Sequence, residues 1–289
     1  MTDAGSIPKI RIFLDMIKFS HTVFALPFAL TGALLAAEGF PGGRQIVWIM
    51  LAMVGARTAA MSLNRLIDAE IDARNPRTAG RAIPAGLISG GMTLFFIVIS
   101  TALMLFSAAM LNPLCLKLSP IALFFLVLYS YCKRFTSLAH VVLGICLAAA
   151  PIGAWVAVRG QIEAPSLLLG AVVLFWVAGF DILYALQDRE FDKAAGLHSI
   201  PVLLGINGSL WTARIFHLVM MLLLIWLFLI MDLGSIFMLG ILVVAGMLSY
   251  EHWLLRHGNL DKLDAAFFNM NGYISVAILL FTGADILTR

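Results

Sequence analysis

The sequence predicts an all-α polytopic membrane protein, a bundle of nine transmembrane helices around a central cavity, forming one domain over residues 1–289. Three observations carry this prediction. First, 62% of the residues are hydrophobic and only 12% are charged, whereas soluble domains run at about 45–50% and about 25%. A water-soluble core of this size cannot absorb the excess, so a bilayer is the solvent that fits. Second, apolar runs of spanning length recur along the chain, separated by short polar joints. Third, the basic residues fall on alternate joints.

The runs take up the chain in order. Residues 1–18 are mixed and polar, and the apolar run after His21 is long enough to span with no small-x-small cleavage site at its end. It is the first expected helix, over 20–39. The others are expected at 46–66, 93–111, 116–132, 138–158, 167–187, 210–231, 233–250 and 267–287, each near the roughly 20 apolar residues a bilayer requires. Asn112-Pro113 divides the third from the fourth, and Asp232 with Gly234 marks a tight turn between the seventh and eighth.

Charge placement orients the bundle. With a cytoplasmic N-terminus, 14 of the 19 basic residues fall on the cytoplasmic side, among them Lys18, Arg256 and Lys262; Arg44, Lys117, Arg159 and Arg289 fall opposite, and Arg57 lies inside a span. Cytoplasmic joints are the ones enriched in Lys and Arg, so the expected location is the inner (plasma) membrane with the N-terminus inside. Cys115, Cys132 and Cys146 have no metal or disulfide spacing and read as small apolar residues. His252 and His257 read as interfacial.

The two longest joints, at about 67–92 and 188–209, are both cytoplasmic in this scheme and resemble each other. The first reads Asn64-Arg-Leu-Ile-Asp68-Ala-Glu-Ile-Asp72, then Arg81-Ala-Ile-Pro84. The second reads Tyr184-Ala-Leu-Gln-Asp188-Arg-Glu-Phe-Asp192, then Ser199-Ile-Pro201. This is the pattern of a decayed internal repeat. Four residues of α-helix turn about 400°, which places Asn64, Asp68 and Asp72 on one face and Asp188 and Asp192 on another. Paired carboxylates offer hard oxygen ligands, which suit Mg²⁺ bridging to phosphates. Solvated helix ends paired with nearby arginines would also produce one such motif, but explain two matched ones less well. Asp181 is expected inside the sixth span, where an ionisable group marks function by default. Arg65, Arg74, Arg77 and Arg81 surround the first motif, and Tyr129, Lys133 and Arg134 close the fourth span; these can hold phosphate oxygens, although the charge bias of cytoplasmic joints would place basic residues here anyway. The expected site is therefore composite: metal and cations on a diphosphate, an apolar cavity for its hydrocarbon tail, and departure of diphosphate without a protein nucleophile.

The block from Asn64 through Arg74-Asn75-Pro76-Arg77-Thr78-Ala79 to Arg81-Ala-Ile-Pro84-Ala-Gly86 resembles the UbiA-type membrane prenyltransferases, as do Tyr129-x-x-x-Lys133 and Asp181-x-x-Tyr184-x-x-x-Asp188-x-x-x-Asp192. The resemblance spans nearly the whole chain. It implies Mg²⁺-dependent transfer from a polyprenyl diphosphate to a small aromatic acceptor, 4-hydroxybenzoate of ubiquinone synthesis being the one expected, with no nucleic acid partner. It implies that Asn64, Asp68, Asp72, Asp188 and Asp192 hold the metal–diphosphate and that Tyr129 and Lys133 contact the diphosphate or reacting centre. Arg65, Arg74, Arg77, Arg81, Arg134 and Tyr184 complete the expected substrate set, and Asp181 is expected to orient the acceptor. The stretch Ile17-Lys18-Phe19-Ser20-His21-Thr22-Val23-Phe24-Ala25-Leu26-Pro27-Phe28 departs from the 4-hydroxybenzoate enzymes and is similar to a bacterial subgroup of futalosine-route menaquinone synthesis.

Two other classes compete. A secondary transporter would use intramembrane carboxylates, but four spans between the motifs make the repeat parallel rather than inverted. A phosphatidyl-group transferase would gather its aspartates in one Gly-containing stretch, whereas Asp72 and Asp188 stand far apart in sequence.

Overall fold

A computed structural model describes residues 9–17, 25–255 and 263–289, with side chains of helix residues from Ile12 and from Met270 onward in the first and last segments. The regular secondary structure of the described residues is all helix, with no strand among them. The helices are α1 Lys9–Met16, α2 Leu26–Ala37, α3 Gly43–Ile67, α4 Ala69–Arg74, α5 Gly90–Leu111, α6 Pro113–Cys132, α7 Ala139–Arg159, α8 Ala164–Ala185, α9 Arg189–Ala194, α10 Ile200–Ile230, α11 Ser235–Leu254 and α12 Leu263–Leu287. Eight of these segments are long and apolar enough to cross a membrane, and α2 is a shorter apolar helix of 12 residues. The expected count of nine therefore appears among the described residues as eight long spans plus α2. Residues 18–24, which carry Lys18, His21 and most of the departing stretch, lie outside the described residues, as do Arg256, His257 and Lys262.

Local chemistry sets the boundaries. Asn112 ends α5 and caps α6, its Oδ1 accepting from the Cys115 N–H at 2.9 Å, with Pro113 in the first turn. Asp232 takes a left-handed φ of 48° at the turn between α10 and α11. Ser89 caps α5 through the Met92 N–H at 3.2 Å, and Ser199 caps α10 through the Val202 N–H at 3.3 Å.

Two expectations need correction here. The seventh span, expected from 210, begins at Ile200, so most of the expected 188–209 joint is helix. The Ser199 cap and Pro201 in the first turn start it early, and Gly205, at φ 67° and ψ −174°, breaks it before it resumes. The matched Ile-Pro pairs are not structurally equivalent either. Ile83-Pro84 lies in the connection before α5, whereas Ile200-Pro201 opens a helix.

Helices cross closely where glycine removes the side chain. A Cβ on Gly55 of α3 would stand 2.7 Å from the Ser100 carbonyl of α5, and one on Gly144 of α7 would stand 2.5 Å from the Leu174 carbonyl of α8. Small residues permit such backbone approach in lipid, where helix association depends on close packing. The main core lies between α2, α7, α8, α10, α11 and α12, around Phe28, Trp155, Trp176, Met220 and Leu224. Trp176 is fully buried and donates its Nε1–H to Asn271 at 2.9 Å. On the other side of α7 and α8, facing α3 and α6, the packing leaves a cavity.

Candidate active site

The cavity has a volume of about 800 Å³. It follows one face of α3, through Ile49, Met53, Arg57, Ala60 and Asn64, and one face of α6, through Cys115, Ala122, Phe125, Tyr129 and Lys133. Ile49 to Asn64 spans about 22 Å at the rise of an α-helix. Most of the bore is apolar, and the charged residues gather where α3, α6 and α8 end.

Each acidic motif forms the joint between a long helix and a helix of six residues. Asp68 follows α3 at φ −91°, ψ 4°, and Asp188 precedes α9 at φ −95°, ψ 0°. The continuous helical face expected for each motif is thus interrupted at its first aspartate. A short 3-10 turn, Leu186–Asp188, adds to the break in the second motif. The shared joint is structural support for the repeat.

The carboxylates are held by the residues around them. Asp72 is 5% exposed, and both its oxygens accept from Arg81 Nη1, at 2.6 and 2.7 Å. Its backbone carbonyl accepts from the Thr78 hydroxyl at 3.0 Å, and Arg65 lies 3.9 Å away. Asp188 is gripped from the other motif's connection: Arg77 donates through Nε at 2.8 Å and also through Nη2, while Asn75 donates through Nδ2 at 3.1 Å. Arg77 further donates to the Tyr184 hydroxyl at 3.4 Å. Burial works against the Arg77 cation, but its bond and charge contact with Asp188 prevail and raise its pKa. Asp68 accepts from Asn64 Nδ2 at 2.9 Å, so Asn64 Oδ1 is the atom this side chain can offer a cation. Burial pushes the Asp68 carboxyl above its ordinary value, while Lys133 and Arg134 pull the other way.

Asp192 stands apart. It is 2% exposed, its nearest cation is Lys133 Nζ at 4.0 Å, and its Oδ2 has no hydrogen-bond partner. A buried carboxylate oxygen without a partner is costly and suits a metal ion. The full donor set, Asn64 with Asp68, Asp72, Asp188 and Asp192, is all oxygen and lines the cavity, so it fits Mg²⁺. Among the described residues no three His, Cys, Asp or Glu side chains converge into a closed cage.

The structure brings together at the charged end Arg65, Arg77, Arg81, Tyr129, Lys133 and Tyr184, all cavity-lining, with Asp181 also on the wall. It places two expected residues elsewhere. Arg74 is exposed and donates to the Glu70 carbonyl at 3.3 Å. Arg134 donates to the Ile67 carbonyl at 2.7 Å, holding the end of α3, and lies 3.7 Å from Asp68. Both are absent from the cavity wall. Sequence reasoning missed Asn75 and Thr78, which sit inside the block that carried the resemblance. It also missed Arg57 as a wall residue, although an arginine within a span is itself a signal. His140, which contacts Asp181 at 2.6 Å, had no sequence signal beyond its residue type.

Comparisons with known proteins agree with this geometry. The model of the UbiA prenyltransferase family matches residues 25–273. A protein of Aliivibrio fischeri (strain MJ11) named 4-hydroxybenzoate octaprenyltransferase is 30% identical over 285 residues, 98% of this chain and 99% of that protein. One of the same name from Tolumonas auensis is 31% identical over 251 residues, 86% of each. A UbiA homolog from Aeropyrum pernix K1 superposes with a TM-score of 0.82 at 34% identity, covering 93% of this chain and 98% of that one. The fold is shared by a UbiA homolog from Archaeoglobus fulgidus bound to DMAPP and Mg²⁺, at a TM-score of 0.70, 19% identity and coverage of 96% and 99%. With the family match running over most of the chain, and with multiple apolar helices around an acidic, basic and apolar cavity, this protein belongs to the UbiA family of membrane prenyltransferases.

Proposed function

We propose that the chain transfers a polyprenyl group from its diphosphate to an aromatic acid, 4-hydroxybenzoate before others, at a Mg²⁺ site built by both acidic motifs. The observation that carries this reading is one cavity with a charged end and a long apolar bore. A diphosphate belongs at the charged end and a hydrocarbon chain in the bore. The names of the similar proteins favour 4-hydroxybenzoate, and the Mg²⁺ and prenyl diphosphate in the fold's relatives favour the donor and metal. The charge bias of the joints favours an inner membrane location, with the N-terminus and the site at the cytoplasmic face.

Asn64, Asp68, Asp72, Asp188 and Asp192 would hold magnesium, which would neutralise the diphosphate and stabilise it as a leaving group. Arg77 and Arg81 grip carboxylates by guanidinium hydrogen bonds, and the same geometry suits phosphate oxygens. Lys133 and Tyr129 sit where α6 meets them. The allylic C–O bond breaks with its electron pair leaving on diphosphate. A ring carbon of the acceptor supplies the pair for the new C–C bond, and the proton displaced from that carbon passes to the departing diphosphate. Arg57 lies on the same wall of α3 as Asn64, about 10 Å further into the bore. A cation at that depth pairs with the acceptor's carboxylate, and Asp181 accepts the hydrogen bond of its hydroxyl.

The test is a product mass. Membranes containing the protein are given one polyprenyl diphosphate, Mg²⁺ and a panel of aromatic acceptors that includes phenols without a carboxylate and a futalosine-route acceptor. Prenylated 4-hydroxybenzoate is expected, and Arg57→Met should raise KM for acids by about tenfold while leaving that for the donor unchanged. A prenylated product from a carboxylate-free phenol alone, or none from any acceptor, contradicts the reading.

A further inference from the structure

His140 is an ionisable group buried behind the cavity wall, and the proposed reaction gives it no task. It is the second residue of α7, is 0% exposed, and does not line the cavity. It stands behind Asp181, whose side chain does line the cavity and is 20% exposed. The two meet through His140 Nδ1 and Asp181 Oδ2 at 2.6 Å. With Asp181 as a carboxylate, which only accepts hydrogen bonds, Nδ1 is the donor of this pair. The other ring nitrogen, Nε2, is buried with no hydrogen-bond partner.

That arrangement is expensive for a purely structural residue. A buried polar atom without a partner costs stability, and an apolar side chain would fill the same space without it. What the imidazole supplies is the single bond to Asp181. A carboxylate on a half-turn of freedom can present either oxygen, or neither, to the cavity. With Oδ2 fixed from behind, Oδ1 is left as the acceptor facing the substrate. Supporting groups of this kind fix the orientation of a side chain that touches substrate, and small misplacements there carry large rate costs.

We propose that His140 is a positioning residue for prenyl transfer, holding Asp181 so that one carboxylate oxygen meets the acceptor's hydroxyl. The proposal rests on the reading of Asp181 as the acceptor-facing group. It requires no proton exchange with His140 and no contact between His140 and either substrate.

The test uses the full-length protein in membranes and compares His140→Asn, which keeps an N–H donor near the position of Nδ1, with His140→Leu, which removes it. Steady-state kinetics are measured separately for donor and acceptor. His140→Leu is expected to lower kcat/KM for the acceptor by about 30-fold, the scale of a lost hydrogen bond to a charged group, with KM for the polyprenyl diphosphate unchanged. His140→Asn should recover to within about threefold of wild type. In an Asp181→Asn background, His140→Leu should add no further loss, because the residue would act only through Asp181. Thermal melting in detergent, run on each variant, separates loss of fold from loss of orientation. Undiminished acceptor kcat/KM in a folded His140→Leu protein overturns the proposal. So does a loss that His140→Asn fails to rescue, a rise in KM for the polyprenyl diphosphate as large as the loss in acceptor kcat/KM, or full additivity with Asp181→Asn. If wild-type membranes prenylate no acceptor, the functional reading fails and the positioning role falls with it. If wild type is active and the variants behave as wild type, only the role of His140 fails.

Discussion

The two acidic motifs share a local structure and differ in what surrounds them. Each is a long helix, an aspartate at the joint, and a six-residue helix, followed by a serine that caps the next span. The first motif is followed by a long connection, residues 75–89, and the second by a short one, residues 195–199. The long connection supplies both guanidinium grips. Arg81 turns back on Asp72 of its own motif, while Arg77 and Asn75 reach across to Asp188 of the other. The second motif's arginine, Arg189, pairs instead with Glu190 and the Pro201 carbonyl. Its last carboxylate, Asp192, is left with Lys133 at 4.0 Å. Two halves with one backbone thus have divided labour: the first carries the clamp, and the second carries the carboxylate best placed for a cation.

If both halves build one site, breaking either should do equal harm. Asp68→Asn and Asp188→Asn are each expected to lower kcat by about a thousandfold, the upper scale for losing one transition-state charge stabiliser. A loss confined to one motif, measured by product formation in membranes, would mean that the halves work separately.

The next effect is on the clamp. Arg77→Lys keeps the charge but loses the planar fork. It should raise KM for the diphosphate by about tenfold or more, because it loses both the phosphate grip and the link between motifs. Arg74→Ala, by contrast, should stay within about twofold in the same assay, since an exposed residue away from the wall is a surface substitution.

The smallest effect on activity should come from the far end of the bundle. Asp285 is 2% exposed, accepts from the Gly234 and Phe237 N–H groups at 2.8 and 3.1 Å, and pairs with Arg289 at 3.1 Å. It caps the start of α11 from α12. Asp285→Ala should cost about 1–3 kcal/mol of stability by orphaning buried donors, seen as a lower melting temperature in detergent, with kcat unchanged in the folded fraction.

The comparison also shows what could be read in the sequence. The spans were legible because apolar length is a local property, and so were the Asn112-Pro113 and Asp232 boundaries. The carboxylates were legible by spacing and motif. The breaks at Asp68 and Asp188 were not, because a period of four residues reads the same through a bent helix. The early start of α10 is written in Ser199 and Pro201, and Gly205 separates that first turn from the apolar run. Arg77 reached Asp188 across 111 positions, and His140 reached Asp181 across 41. Such contacts are products of packing, and no local pattern announces them. Arg74 and Arg134 lie close in sequence to the acidic motifs but do not line the cavity; Arg134 reaches Asp68 at 3.7 Å from outside its wall, and Arg74 turns back on the Glu70 carbonyl.

The claim that both motifs make one metal–diphosphate site is tested most directly by equilibrium binding of a labelled polyprenyl diphosphate to purified protein, with and without Mg²⁺. Wild type should bind only with the metal, and Asp68→Asn and Asp188→Asn should each abolish the Mg²⁺-dependent part. Mg²⁺-dependent binding that survives intact in either variant would contradict a single shared site.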